Sequence, residues 1–185
     1  MAKPEAVDAR SHPWVQALET ALPGAVVSAR QFAREVTVTV AREKIVEVAR
    51  HLKEAQDFRY CVDVTAVDWR ERQPRFDIVY HFYSFSKNDR IRVKCGAAEG
   101  DEVPSIATVF LAANWPERET WDMFGIRFAG HPDLRRILTW EGFHGHPLRK
   151  DFPLEGVDTG AAVYPEEWPE GGGPSPDDPN RKVVS

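Results

Sequence analysis

The sequence predicts an α+β fold: a mixed, mostly antiparallel sheet of about five strands with packed helices, then a long ordered loop and an extended C-terminal tail. Three observations carry this. Runs of two-residue alternation and β-branched residues are interleaved with short stretches of helical period. The 185 residues suffice for one well-filled core rather than two. From Glu155 the texture changes, ten of the last 31 residues being Gly or Pro, a composition that cannot bury enough apolar surface to fold alone. The expected division is a flexible N-terminus over 1–11, an α+β core over 12–128, a loop segment over 129–154 and an acidic Pro/Gly-rich tail over 155–185.

His12–Leu22 reads as a short helix, with Val15, Leu18, Ala21 and Leu22 at helical spacing, closed by Pro23–Gly24. Ala25–Ala29 reads as a strand, and Glu35–Val40 (EVTVTV) alternates strictly, with its valines inward. Ala41–Gln56 switches to helical period, placing Ile45, Ala49, Leu52 and Ala55 on one face. Phe58–Val67, Phe76–Phe85 and Ile91–Cys95 form a meander, separated by the polar turn Arg70–Pro74 and by Asn88–Asp89. Ser105 is expected to cap a helix running to Ala113 with Ile106, Val109, Phe110 and Ala113 as its buried stripe. Asn114 is expected to cap the next helix, with Glu117 completing a capping box, Pro116 in the tolerated first turn and Gly125 ending it.

The formal net charge is −5, and its distribution is uneven. Residues 1–154 hold 22 basic and 22 acidic side chains, whereas residues 155–185 set seven acids against Arg181 and Lys182. A neutral body with an acidic tail argues against nucleic acid as a partner. Cys61 and Cys95 stand 34 residues apart on predicted strands, the pattern of buried thiols rather than of a metal or iron–sulfur site. The N-terminus lacks the apolar stretch of a secretory signal, and no apolar run reaches bilayer length. The expectation is a soluble chain that reaches a membrane only through partners.

Asn114–Leu154 concentrates tryptophans, histidines, arginines, glycines and prolines as no other stretch does. Glu119 and Asp122 sit three apart, a spacing that serves acid–base chemistry or a metal; the plainer reading has these acids complementing the helix dipole, with Arg118 pairing to Asp122 at i,i+4. His131, His144 and His146 are candidate metal ligands, but they lie in Gly/Pro-rich loop without the i,i+4 spacing of a helical metal pair, and the plainer reading is hydrogen bonds that fix the loop. Arg127, Arg135, Arg136, Arg149 and Lys150, with Trp115, Trp121 and Trp140, have the composition of a protein-contact surface, although any one tryptophan is as readily a core residue. Neither a phosphate loop nor a nucleophile elbow is present. From the residues alone, no catalytic, cofactor-binding or metal site is expected, and the elaborated segment and the tail both suit protein binding.

The pieces Glu117-Arg118-Glu119, Asp122-Met123-Phe124-Gly125, His131-Pro132-Asp133-Leu134-Arg135-Arg136-Ile137-Leu138 and Gly145-His146-Pro147-Leu148-Arg149-Lys150-Asp151-Phe152-Pro153-Leu154 together resemble the signature of the 30-kDa (C) subunit of respiratory complex I, the NADH:quinone oxidoreductase. The resemblance covers roughly residues 12–154. It implies a non-catalytic subunit of the peripheral arm, on the cytoplasmic side of a bacterial inner membrane, packed against the 49-kDa-type (D) subunit. FMN, iron–sulfur clusters, NADH and quinone would all be held by other subunits. The interface residues it marks are Glu117, Arg118, Glu119, Asp122, Arg135, Arg136, His146, Arg149, Lys150 and Asp151, the basic ones pairing with acids across the interface or within the loop. Tyr164 and Trp168, the large apolar residues of the tail, would lie along the 49-kDa-type subunit. The neighbouring reading is the equivalent subunit of a membrane-bound energy-converting hydrogenase or related quinone reductase. A metal-dependent hydrolase built on His131, His144, His146, Glu119 and Asp122 is the reading from a different class.

Overall fold

In the computed structural model, which describes residues 6–156 except Glu141, the elements run β1 (Val7–Asp8), α1 (Pro13–Ala21), β2 (Val26–Phe32), β3 (Glu35–Val40), α2 (Ile45–Glu54), β4 (Tyr60–Asp68), β5 (Phe76–Ser84), β6 (Asp89–Ala97), β7 (Glu102–Pro104), α3 (Asn114–Phe124) and β8 (Arg127–Ala129). Among the described residues, those up to Phe152 belong to one compact unit.

Six strands pair in the order β1-β2-β3-β6-β5-β4. All neighbours are antiparallel except β3 and β6, which run parallel because the chain crosses by α2 to the far edge and returns through β4 and β5. The sixth strand, β1, lies in the segment expected to be flexible. The expected meander is β4-β5-β6, and β2 extends three residues beyond its predicted end. Its hairpin to β3 turns through Ala33 (φ 47°) and Arg34 (φ 69°), left-handed positions taken without glycine or asparagine, so the turn carries no sequence signal.

Val36, Val38 and Val40 face inward as the alternation requires, and they meet Val15 and Leu18 of α1 and Ile45, Val48, Ala49 and Leu52 of α2 in one core with Ile78, Tyr80, Phe82, Ile91 and Val93. Each of the Val, Leu, Ile and Phe side chains among them contributes about 1.5–3 kcal/mol on leaving water. Cys61 and Cys95 are buried free thiols, each pushed up to about 12 by burial. The opposite sheet face is polar: Thr37, Thr39, Asp77, His81, Arg92 and Lys94 are half-buried on it.

Two expectations for the helical region are corrected. Ser105–Ala113 is not a helix; one turn closes on the Ile106 carbonyl, Phe110 breaks out to φ −121°, ψ 103°, and a short 3₁₀ turn, Leu111–Ala113, follows. Its apolar stripe is nevertheless buried at Ile106, Phe110 and Ala113. Asn114 is the first residue of α3 rather than its cap, no side chain caps the helix, and Glu117 points elsewhere.

Candidate partner interface

α3 lies against β4, where Thr120 Oγ1 donates to the Val64 carbonyl at 3.0 Å. It ends as the sequence predicts, at Gly125 in the left-handed region (φ 78°), whose N–H returns to the Trp121 carbonyl. The His146 ring lies directly over Gly125; a Cβ there would sit 2.6 Å from its Cδ2. His146 Nδ1 is 2.9 Å from the Asp122 carbonyl, and the Leu148 N–H donates to Met123, so the returning loop is seated on the helix end.

The Asp122 carboxylate, fully buried, organises that loop. Oδ2 accepts the backbone N–H groups of Ile137 (3.1 Å), Leu138 (2.9 Å) and Thr139 (2.9 Å), and Oδ1 accepts Thr139 Oγ1 (2.5 Å) and Arg136 Nη1 (2.6 Å). Burial pushes this carboxyl up, but the Thr139, Leu138 and Ile137 hydrogen bonds outweigh it and hold the group well below the usual carboxylate range. Arg136 also donates to the carbonyls of Phe143 and Gly145. Arg118 does not pair with Asp122, as helical spacing suggested; it donates to the carbonyls of Arg135 (3.1 Å) and Arg136 (3.0 Å) from below.

A second clamp holds the end of the segment to the sheet. Arg75, its side chain 8% exposed, forms a two-pronged pair with Asp68 (2.9 and 2.7 Å) and reaches Asp151 (2.9 Å) and Glu99 (3.1 Å). Arg149 joins Asp151 and Glu99, and the Lys150 N–H donates to Asp68. The Arg75 guanidinium holds the Asp68 carboxyl well below its ordinary range. On the other flank, buried Glu117 accepts Ser105 Oγ (2.5 Å) and the Ile106 N–H (2.8 Å), and burial pushes its carboxyl up to about 7. His131 Nδ1 accepts the Asp133 N–H, so in the neutral ring Nε2 carries the proton and donates to the Asn114 carbonyl at 3.0 Å.

Between the start of α3 and this loop lies an open groove of about 960 Å³, walled by Leu111, Trp115, Pro116, Pro132, Ile137 and Leu138, with Glu119 on its rim. Leu111 is 86% exposed, Trp115 69% and Leu138 62%, large apolar side chains that a monomer rarely leaves grouped in water.

The sequence-marked residues therefore separate. Glu117, Arg118 and Asp122 are buried, and Arg136, His146 and Arg149 are half-buried on bonds within the chain. Glu119 and Arg135 are exposed, Arg135 beside Asp133; Lys150 is exposed, and Asp151 joins the clamp. Glu119 and Asp122 are not brought together, since one faces solvent and the other the loop. Nor are His131 and His146, which bind carbonyls at opposite ends of α3, and no group of three or more His, Cys, Asp or Glu among the described residues is placed to hold a metal. Trp121 packs against the core, while Trp115 and Trp140 are exposed. Tyr164 and Trp168 lie outside the described residues. Asp68, Arg75, Glu99 and Leu111 escaped the sequence reading; the available signal was the pair of charges closing a hairpin at Asp68 and Arg75.

Residues 38–158 match the family model described as "Respiratory-chain NADH dehydrogenase, 30 Kd subunit". The chain is 57% identical over 136 residues to the C subunit of NADH-quinone oxidoreductase from Rhodobacter capsulatus, spanning 72% of this chain and 68% of that one. It is 48% identical over 143 residues to the corresponding C subunit from Geobacter sulfurreducens, spanning 76% and 88%. Among solved structures, a chain of the membrane-bound sulfane sulfur reductase, an archaeal respiratory membrane complex, superposes with a TM-score of 0.65 at 26% identity, over 78% of this chain and 86% of that one. No helix among the described residues is long and apolar enough to cross a membrane. With its signature segment folded as one clamped surface, the chain belongs to the 30-kDa (C) subunit family of the respiratory NADH:quinone oxidoreductase, complex I.

Proposed function

We propose that this chain is a non-catalytic subunit of the complex's peripheral arm, on the cytoplasmic side of a bacterial inner membrane, which packs against the 49-kDa-type subunit. In this reading FMN, the iron–sulfur clusters, NADH and quinone are held by other subunits, and this chain fixes their relative placement so that electrons pass from NADH to quinone. The observation that carries it is the use of the signature's ionisable groups. Asp122, Arg136, Asp151 and Arg149, the last two with Arg75 and Glu99 of the domain as partners, tie the loop down, which supports a role in shape rather than chemistry, while an apolar groove is left facing water. A loop held this way loses little further entropy when a partner covers it. The acidic tail, with Tyr164 and Trp168, would extend the contact along the 49-kDa-type subunit.

The test is a native pull-down of the tagged chain from detergent-solubilised host membranes, with mass spectrometry and an NADH:quinone activity assay. Co-purification with cluster-bearing subunits, a homologue of the 49-kDa-type subunit and NADH oxidation is expected. A chain lacking residues 158–185 should recover less of that 49-kDa-type subunit, and unchanged recovery would refute the tail's role. Recovery with a nickel–iron large subunit and no NADH-oxidising module would favour the hydrogenase-type complex instead. Recovery alone with stoichiometric metal would overturn the reading.

A further inference from the structure

We infer that the groove beside α3 receives a basic–apolar segment of a neighbouring subunit: an arginine or lysine seated between Glu119 and Trp115, with an adjacent aliphatic side chain filling the cleft between Leu111 and Leu138. The inference rests on the subunit reading above and names the chemistry of one of its contacts.

Trp115 and Glu119 are four residues apart on α3, so their side chains are neighbours on one helix face, and both line the groove. Glu119 is exposed and makes no hydrogen bond or ion pair within the chain among the described residues, whereas the other marked acids, Glu117, Asp122 and Asp151, are all engaged. A carboxylate beside an exposed indole face is the arrangement that holds a guanidinium or ammonium group, by charge on one side and cation–π attraction on the other. Arg135, an exposed cation of the loop, is paired with Asp133, and among the described residues no cation answers Glu119, so the rim offers an incoming segment a negative charge.

The remaining wall has no polar feature to satisfy. Leu111, Pro132, Ile137 and Leu138 present hydrocarbon, and Leu111 and Leu138 are largely exposed. The wall's shape is also fixed from beneath: the Ile137 and Leu138 N–H groups both end on Asp122, and Glu117 holds the turn at Ser105 and Ile106 that leads to Leu111. A preformed apolar cleft with one charged edge selects a partner by the pairing of a cation with a neighbouring aliphatic group. An acidic partner segment would be repelled by Glu119, which gives the site direction as well as affinity.

The experiment uses the assembled complex in its host. A photo-crosslinking amino acid replaces Leu138, and membranes are irradiated, solubilised and digested; in parallel, E119R, E119Q and L138E are introduced separately. The expected crosslink is to a neighbouring subunit, within a few residues of a lysine or arginine flanked by an aliphatic residue. E119R and L138E should each weaken retention of that subunit roughly 30-fold, which is ~2 kcal/mol at ~1.4 kcal/mol per decade, and E119Q should act less and only at low salt. All three changes are at exposed positions, so unchanged thermal melting of the isolated chain separates a docking effect from misfolding. A crosslink to residues 157–185 of the same chain, to a second copy or to lipid would overturn the inference, as would normal retention in both E119R and L138E. Loss in L138E with normal retention in E119R would overturn the cationic partner. If the unmodified chain itself recovers no NADH-oxidising subunits, the broader subunit reading fails; if it recovers them while the groove variants do too, only this inference fails.

Discussion

Replacing Asp122 by alanine should release the loop over residues 131–146 while leaving the sheet folded. The carboxylate accepts three backbone N–H groups, one hydroxyl and one guanidinium nitrogen while itself fully buried. Alanine removes the acceptor shared by all five donors. Breaking a buried ion pair from one side costs about 3–5 kcal/mol. The Arg136 side chain, 16% exposed, keeps its bonds to Thr139, Phe143 and Gly145, which places the cost toward the lower end. Confined to the loop, 3–5 kcal/mol corresponds to a roughly 150- to 5,000-fold fall in amide protection. D122N is informative because it keeps the volume: its single carbonyl can face the backbone N–H groups or Arg136, and its NH₂ then opposes the other set. It should lose most of the same protection. The assay is hydrogen exchange read by peptide mass, comparing 131–146 with 76–97. Unchanged protection of the loop in D122N, or equal loss across β5 and β6, would refute the view that this carboxylate is the loop's organiser.

Three further outcomes follow from the same geometry. Glu117 has its folded pKa raised to about 7 from an ordinary 4.5, so the cost of burying its charge is absent below pH ~4.5, grows as pH rises to ~7 and then levels at about 3 kcal/mol; E117Q should therefore gain stability over wild type between urea titrations at pH 5 and pH 8, and a pH-independent difference would contradict this. G125A must adopt φ near +78° and displace His146, for a loss of about 2 kcal/mol seen as a lowered melting temperature, and the loss should shrink in an H146A background; equal losses in both backgrounds would show that the ring contact is irrelevant. In R75M the depressed Asp68 carboxyl returns toward its ordinary range, so the acid-side loss of stability that wild type shows as pH falls below ~4 should flatten, with about 3 kcal/mol lost at neutral pH; an unchanged acid limb in the urea midpoints would exclude this clamp as its source.

Much of the sheet is readable because its strands carry a strong local pattern. In EVTVTV every second residue is a valine, and nothing in the tertiary structure opposes that alternation. The Gly125 terminus is equally legible, because only a residue without Cβ fits under His146. The misreadings occur where tertiary demands outrank local preference. Ile106, Phe110 and Ala113 are buried as their spacing predicts and Val109 partly so, yet Glu117 draws the Ser105 hydroxyl and Ile106 N–H to itself and the backbone opens at Phe110. The same diversion defeats the capping box, since a glutamate committed to a neighbouring turn cannot serve its own helix. The Asp68–Arg75–Asp151 clamp was hidden for another reason: its Arg75–Asp151 bond joins residues 76 apart in the chain, and single-sequence patterns carry no long-range pairing. The groove was half visible, as tryptophan composition could not say that Trp115 faces water and Trp121 the core.

The position of Thr120 has a consequence for the life of this chain before assembly. A subunit synthesised on its own must persist among other newly made chains, and an open sheet edge is where such chains stick to one another. One edge of this sheet is the two-residue β1, too short to template a foreign strand. At the other, β4 is interrupted by an irregularity between Cys61 and Asp63, and its Val64 carbonyl is already taken by the Thr120 hydroxyl beneath α3. The helix that begins the signature segment thus also acts as a guard rail, occupying backbone at the sheet edge that a foreign strand would need.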